Sequence, residues 1–454
     1  MSFSLEAYLE TFLDWERNLG AASVTDFSLE RIERLLRAFG QPDDKLRFVH
    51  VAGSKGKGSA CVCLAYILRA AGYRVGLYTS PHLYSFNERI RLLQPGHLAG
   101  VQAVFEGAAP MEELSDRARY YQGSVDHLRF SEGVGITWFE YVTVLAVSWF
   151  AHNQADIVVL ETGLGGRLDA TNALETMVCG IAPVGMEHTR LLGNTLHAIA
   201  GEKAGIIKSA SQQVVLAGQQ PEALEVLRAR CRAFGIVPTE IACGTELPVR
   251  SVSLQGTVFD LRGRREYREL SIRLPGEHQA VNAALAVAMA ESLEFYGFVL
   301  SAQAVKQGLS EVVWPARFEV FPGTPMAILD CAHTGESAHA LARTFMRVFP
   351  GRRCVLVFGI GTDKDAAAVV RGLMPVIERV VLTRAKHARA TDPVELLSAG
   401  LFASTDVKLS AGVSEALGQA VELAGPDGLV LVSGSVFVCA EARALIPACS
   451  SRLY

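Results

Sequence analysis

Short apolar runs and longer mixed stretches alternate along the chain. Residues 46–52, 75–79, 157–161, 177–183 and 214–217 are compact apolar blocks of strand length, and 59–71 carries a helical pattern after the first of them. Apolar blocks separated by 10- to 15-residue helical patterns predict βαβ units feeding a mostly parallel sheet. From 252 to 274 the texture changes to VSLQGTVFDLRGRREYRELSIRL, in which apolar and polar residues alternate. Such alternation predicts a small antiparallel hairpin laid on the sheet, followed by a helix over 279–294. A Trp-Pro pair in VWPAR, 313–317, breaks the pattern. A second set of blocks then begins at 318–321, 327–330, 354–358, 380–383 and 429–432. The expected fold is therefore α/β: a mostly parallel sheet domain over 1–312, and a smaller Rossmann-like α/β domain over 313–454.

Composition narrows the class. The chain has 454 residues, half of them hydrophobic and a fifth charged, which excludes a disordered scaffold and supports two domains with real cores. A net charge of -4 gives no global reason to bind nucleic acid or anionic lipid, so any anion site must be local. The longest apolar run, 141–151, is well short of the ~20 residues of a membrane span. The first residues, MSFSLEAYLETFLDWERN, are acidic and amphipathic rather than signal-like, so a cytoplasmic protein is expected. Nine cysteines without paired CxxC spacing read as reduced core thiols.

Two segments carry chemistry. In HVAGSKGKGSA, 50–60, a strand runs into a glycine-rich turn holding Lys57 and Ser59 and then into a helix. Backbone N–H groups at such a turn point at an anion, a lysine neutralises phosphate, and a hydroxyl reaches Mg²⁺. The strict GxxxxGK[ST] spacing fails, since Gly53 and Gly56 are three apart and Gly58 separates Lys57 from Ser59. By pattern alone an ordinary glycine-rich turn stays open. In ETGLGGRLDATN, 161–172, Glu161 ends an apolar strand, where a carboxylate faces the ligand crevice of an α/β sheet and could hold a metal. The alternative is a solvated turn. His188 and Lys203, in VGMEHTRLLG and EKAGIIK, are unremarkable alone.

Together with YTSPHLYSFNERIR, TWFEYVT, GEHQAVNAALA, WPARFEV, DCAH, FGIGTDKD and SGSVF, these motifs resemble in order and spacing those of the folylpolyglutamate synthase and dihydrofolate synthase family of the Mur ligase superfamily. The resemblance covers nearly the whole chain. It implies an ATP-dependent ligase that joins L-glutamate to folate, and to dihydropteroate, through an acyl phosphate, giving ADP and phosphate. It implies that Gly53, Gly56, Lys57, Gly58, Ser59, Asn282, Arg317 and Asp330 contact ATP. Ser59, Ser80, Glu161 and His188 would ligate Mg²⁺, with Lys203, carbamylated in the family, holding a second ion. Thr137, Phe139, Asp169, Ala170 and Thr171 would shape the folate or pterin pocket. His333 would lie near the acyl phosphate, and domain closure would assemble a monomeric enzyme's site.

Departures accompany the resemblance. The family's DGAHNP is DCAHTG here, GLDHT is GMEHT with Glu187, and the phosphate loop carries Ser54 and Lys55 where many bacterial members have Thr and Asn. The altered turn at 331–335 keeps open a Mur-like ligase acting on a different carboxylate or amino acid. A nucleotide-binding protein without turnover is a third reading, opposed by the retention of Lys57, Glu161, His188, Lys203 and Asp330.

Overall fold

The computed structural model describes residues 3–16, 27–96, 104–241, 247–402 and 405–446. The chain divides into two compact units: 1–248, 260–270 and 281–312 form the first, and 249–259, 271–280 and 313–454 the second.

The first unit is built on a seven-stranded sheet. Its strands are β1 (Phe48–Ala52), β2 (Val75–Tyr78), β3 (Ile90–Leu93), β4 (Ile157–Glu161), β5 (Val178–Ile181), β6 (Gln213–Leu216) and β7 (Thr239–Glu240), in the order β3-β2-β4-β1-β5-β6-β7. All pairings are parallel except β2 with β3. β1 and β4 are buried along their whole length, which is why they read as continuous apolar runs rather than alternating ones. Helices α1 (Lys57–Ala70) and α2 (Trp138–His152) are apolar almost all round. Such helices belong inside a layered core, not on its surface. α3 (Leu196–Ala204) and α4 (Glu277–Leu293) complete the elements that matter for the site, α4 contributing residues from Val281 onward to this unit.

The expected hairpin is instead a three-stranded sheet of its own, with β8 (Val249–Ser253), β9 (Gly256–Arg262) and β10 (Glu266–Ile272) in the order β10-β9-β8. Its residues 260–270 belong to the first unit, where the Tyr267 hydroxyl donates to Glu291, at 3.0 Å, and the rest belong to the second. Leu254 packs against the core of the second unit, and the Thr257 hydroxyl donates to the carbonyl of Leu274, at 2.9 Å. The alternation over 252–274 shows that one face is buried but does not say against what.

The second unit carries a six-stranded sheet of β11 (Glu319–Phe321), β12 (Met326–Leu329), β13 (Cys354–Phe358), β14 (Ile377–Leu382), β15 (Asp406–Leu409) and β16 (Leu429–Ser433), in the order β11-β12-β16-β13-β14-β15. Only β11 with β12 is antiparallel. Helix α5 (Gly335–Val348) buries Leu341 and Phe345 on this sheet, each worth ~1.5–3 kcal/mol of burial. Among the described residues seven cysteines are free and buried, while Cys243 and Cys449 lie outside them, and no helix is long and apolar enough to cross a membrane.

Candidate active site

β1 is central, with β4 on one side and β5 on the other, so the chain turns in opposite directions at its C-terminal end. That is where open parallel sheets bind ligands. The turn leaving β1 is pinned to the end of β5: the N–H groups of Ser54 and Lys55 donate to the carbonyl of Pro183, at 2.9 and 3.2 Å, and the Ser54 hydroxyl donates to the carbonyl of Gly185, at 2.8 Å. Gly53 is confined, since a Cβ there would lie 2.7 Å from that of Ala182. Gly56 has φ +83° and caps α1 without any side-chain hydrogen bond, which leaves the first-turn N–H groups without a side-chain cap. A Cβ on Gly56 would stand 2.0 Å from Oδ1 of Asn282 on α4. The Lys57 ammonium folds back to the carbonyl of Gly53, at 3.0 Å. Gly53, Gly56, Lys57, Gly58, Ser59 and Asn282 are thus gathered on one turn and the helix beside it.

Glu161 closes β4 directly beside β1, paired with Val51, and is 5% exposed. Its Oε2 accepts the N–H of Ser80, at 3.0 Å, which follows β2. Ser80 and Glu161 therefore meet at adjacent strand ends. His188 lies beyond β5 with φ +45°, an uncommon conformation for a non-glycine residue, and caps the short helix Thr189–Leu192. Among the described residues no three His, Cys, Asp or Glu side chains converge as a metal cluster. A hydroxyl, one carboxylate and an imidazole nonetheless suit Mg²⁺, which keeps waters and phosphate oxygens for most of its shell.

Lys203 is not the solvated residue its helix-end sequence suggests. It is 1% exposed on α3, and its ammonium donates to the carbonyl of Gly53, at 2.9 Å, and to Glu187 Oε1, at 2.5 Å. Burial lowers the ammonium to about 8 against the pull of Glu187. Burial pushes Glu187 up, but Lys203, Lys57 and Lys55 together hold it at about 2. At neutral pH both partners are charged. Lys55 stands 3.9 Å from Glu187, so the two departures at 55 and 187 meet each other in space.

The expected folate-wall residues are mostly occupied with one another. The Thr137 hydroxyl accepts the N–H of Glu140, and the N–H of Thr137 donates to the Glu140 carboxylate, a reciprocal cap on α2. Asp169 is 4% exposed, and its carboxylate accepts from the N–H groups of Leu164 and Thr171 and from the Thr171 hydroxyl. Burial pushes that carboxyl up and these donors oppose it. Ala170 and Thr171 are buried as well, leaving Phe139 the half-buried member of the set.

In the second unit Arg317 sits between Ala316 and Phe318, both with left-handed φ of +54° and +48°, strain of the kind that collects at functional sites. Asp330 holds this bend, accepting the N–H groups of Phe318 and Ala332 at 2.8 and 2.9 Å. Burial raises its carboxyl and Arg317 draws it down. His333 Nδ1 lies 2.8 Å from the carbonyl of Cys331, and its N–H donates to Ser337. Sequence reasoning did not place Glu187 or His50 in a site. The signal for His50 was a lone histidine inside the apolar run of β1, fully buried, and it lies 2.7 Å from Thr171.

Residues 316–436 match the glutamate ligase domain of Mur ligases. The chain is 30% identical over 418 residues to the dihydrofolate synthase/folylpolyglutamate synthase of Bacillus subtilis, covering 91% of this chain and 94% of that protein. It is 34% identical over 449 residues to the enzyme of the same name from Mycobacterium tuberculosis, covering 92% and 90%. The structure superposes on Mycobacterium tuberculosis folylpolyglutamate synthase complexed with ADP with a TM-score of 0.85 at 29% identity, covering 98% of each chain. This protein belongs to the folylpolyglutamate synthase/dihydrofolate synthase family.

Proposed function

We propose that the protein is an ATP-dependent carboxylate–amine ligase that adds L-glutamate to a folate, and to dihydropteroate. The observation that carries this reading is the convergence of the Gly53–Ser59 turn, Asn282 and Glu161 at the C-terminal ends of β1 and β4. In the reaction an acceptor carboxylate oxygen attacks the γ-phosphorus of ATP, the bridging bond to the β-phosphate breaks and ADP leaves. The amine of glutamate then attacks the acyl carbon, phosphate departs, and the nitrogen loses its proton. Lys57 and the N–H groups of Gly58 and Ser59 neutralise and orient the phosphates. Ser59, Ser80, Glu161 and His188 would hold Mg²⁺, which draws charge from the phosphoryl oxygens. A carbamate on Lys203, holding a second Mg²⁺, belongs to the same reading; the buried ammonium near pKa 8 supports it, because CO₂ adds to the neutral amine.

We assign residues 1–312 to nucleotide and metal binding and 313–454 to the amino acid, the match of 316–436 to a glutamate ligase domain supporting the second. Arg317 and Asp330 are assigned to ATP, and His333 to the neighbourhood of the acyl phosphate. We further assign a cytoplasmic monomer, the buried free thiols agreeing with a reducing compartment.

The test is ADP release with mass analysis of products, using tetrahydrofolate, dihydropteroate and unrelated carboxylates with glutamate and other amino acids. Acceptor- and glutamate-dependent ADP release with a product heavier by one glutamyl residue is expected. Turnover confined to an unrelated carboxylate or another amino acid would refute it. ¹³C-bicarbonate NMR of the wild type and Lys203→Ala separately tests the carbamate.

A further inference from the structure

We infer that His50 is a positioning residue for the acceptor, setting the place of the Phe139 ring through a chain of hydrogen bonds that runs from the central strand to the loop under that ring. The inference rests on the proposed folate reading. Its observations lie within the first unit. His50 sits mid-β1, between Val49 and Val51, and is 0% exposed. Its Nε2 is 2.7 Å from Thr171 Oγ1, and the Thr171 hydroxyl is 2.5 Å from Asp169 Oδ1.

The direction of these bonds follows from chemistry. Both Asp169 oxygens already accept backbone N–H groups, of Thr171 and Leu164, so the Thr171 hydroxyl proton goes to Asp169. His50 must then donate from Nε2, and as a neutral ring it carries no proton on Nδ1. That nitrogen is buried and has no hydrogen-bond partner. An aliphatic side chain in this apolar strand would avoid the unpaired nitrogen, so stability alone gives no reason for an imidazole here. What the imidazole adds is a fixed hydroxyl direction on Thr171.

Asp169 passes the constraint on. It accepts the N–H of Leu164 at 2.8 Å, so the carboxylate fixes the peptide that joins Gly163 to Leu164. Gly163 in turn lies flat against Phe139, since a Cβ there would be 2.6 Å from the ring Cζ. The aromatic ring rests on a surface whose height is set three links away. Phe139 is the half-buried member of the proposed folate wall, and a flat heterocycle is the group such a ring would stack on. The heterocycle of a folate is remote from its reacting carboxylate. Loosening its platform should therefore weaken acceptor binding equally in the ground and transition states, which raises KM and leaves kcat alone.

The experiment compares steady-state kinetics of His50→Leu, His50→Gln, Thr171→Val and Thr171→Ser with wild type, alongside fluorescence titration of dihydropteroate onto the full chain. His50→Leu and Thr171→Val should raise the acceptor KM and dissociation constant about tenfold, the effect of one lost hydrogen bond, with kcat and the ATP KM within about twofold of wild type. His50→Gln, which keeps a donor at the ε position, and Thr171→Ser should return the acceptor KM to within about threefold of wild type. An unchanged acceptor KM in His50→Leu overturns the inference, as do parallel rises in the acceptor and ATP KM, a fall in kcat alone, or no rescue by His50→Gln. If His50→Leu does not fold, His50→Asn, whose shorter amide does not reach Thr171, takes its place under the same criteria. A wild type that transfers no glutamate to any folate refutes the proposed function, whereas an active wild type with an indifferent His50→Leu overturns only the positioning role.

Discussion

Replacing Glu187 by Gln tests whether the glycine-rich turn after β1 is held by a buried ion pair. The Lys203 side chain is 1% exposed and that of Glu187 10%, and the ammonium also hydrogen-bonds Gly53 O at 2.9 Å. Breaking such a pair leaves a buried charge and costs about 3–5 kcal/mol. Here Lys57 and Lys55 add repulsion to the stranded ammonium. With a pKa already about 8, Lys203 can give up its proton at little cost, so the loss should sit near the lower end, about 3 kcal/mol. Lys203→Met leaves Glu187 facing Lys55 and Lys57 and should cost about 2 kcal/mol, a loss moderated by those remaining partners. The double variant removes both charges and should lie within about 2 kcal/mol of wild type, a coupling of at least about 3 kcal/mol. Equilibrium urea unfolding at pH 7 in bicarbonate-free, metal-free buffer, where Lys203 is the free amine, reads this out, with equal slopes across the four proteins as the condition for comparing midpoints. Single effects that add to within about 0.5 kcal/mol would show that the pair does not act as a unit.

Lys57→Ala should abolish ADP release while changing stability by no more than about 0.5 kcal/mol, because its ammonium makes one part-buried hydrogen bond and fills no core; kinetics together with urea unfolding check both halves. Gly56→Ala forces a left-handed Ala against Asn282 and should cost at least about 1–2 kcal/mol and weaken ADP binding at least about tenfold, read by calorimetry; Asn282→Ala in the same chain should relieve the contact but not the left-handed strain, so stability recovers only in part and binding does not. His50 has a folded pKa of about 3 against 6.5 for the unfolded chain, so below pH 6.5 only the unfolded state takes up that proton and stability is lost as pH falls. Relative to His50→Gln, the wild type should lose about 2 kcal/mol between pH 7 and pH 5, and parallel pH–stability curves for the two would contradict the buried neutral ring.

Much of this protein was legible in its sequence because the information is local. Continuous apolar runs such as FVHVA and IVVLE mark strands buried on both faces, and the glycine-rich turn after the first of them marks the proposed phosphate loop. Motif order carried the family, and hence the assignment of Glu161 and Asn282 to one site although 121 residues separate them in the chain. Partners were what only the tertiary structure decided. A helix-end lysine looks solvated until α3 packs its side chain onto Gly53 and Glu187, and a lone strand histidine looks like core until its ring is found against Thr171. The alternating segment over 252–274 announced a half-buried sheet, but not its partners: Leu254 meets the core of the second unit, while Tyr267 hydrogen-bonds Glu291 within the first. Periodicity reports that a face is buried; burial pKa shifts, hydrogen-bond direction and strain depend on which atoms arrive from distant sequence to cover it.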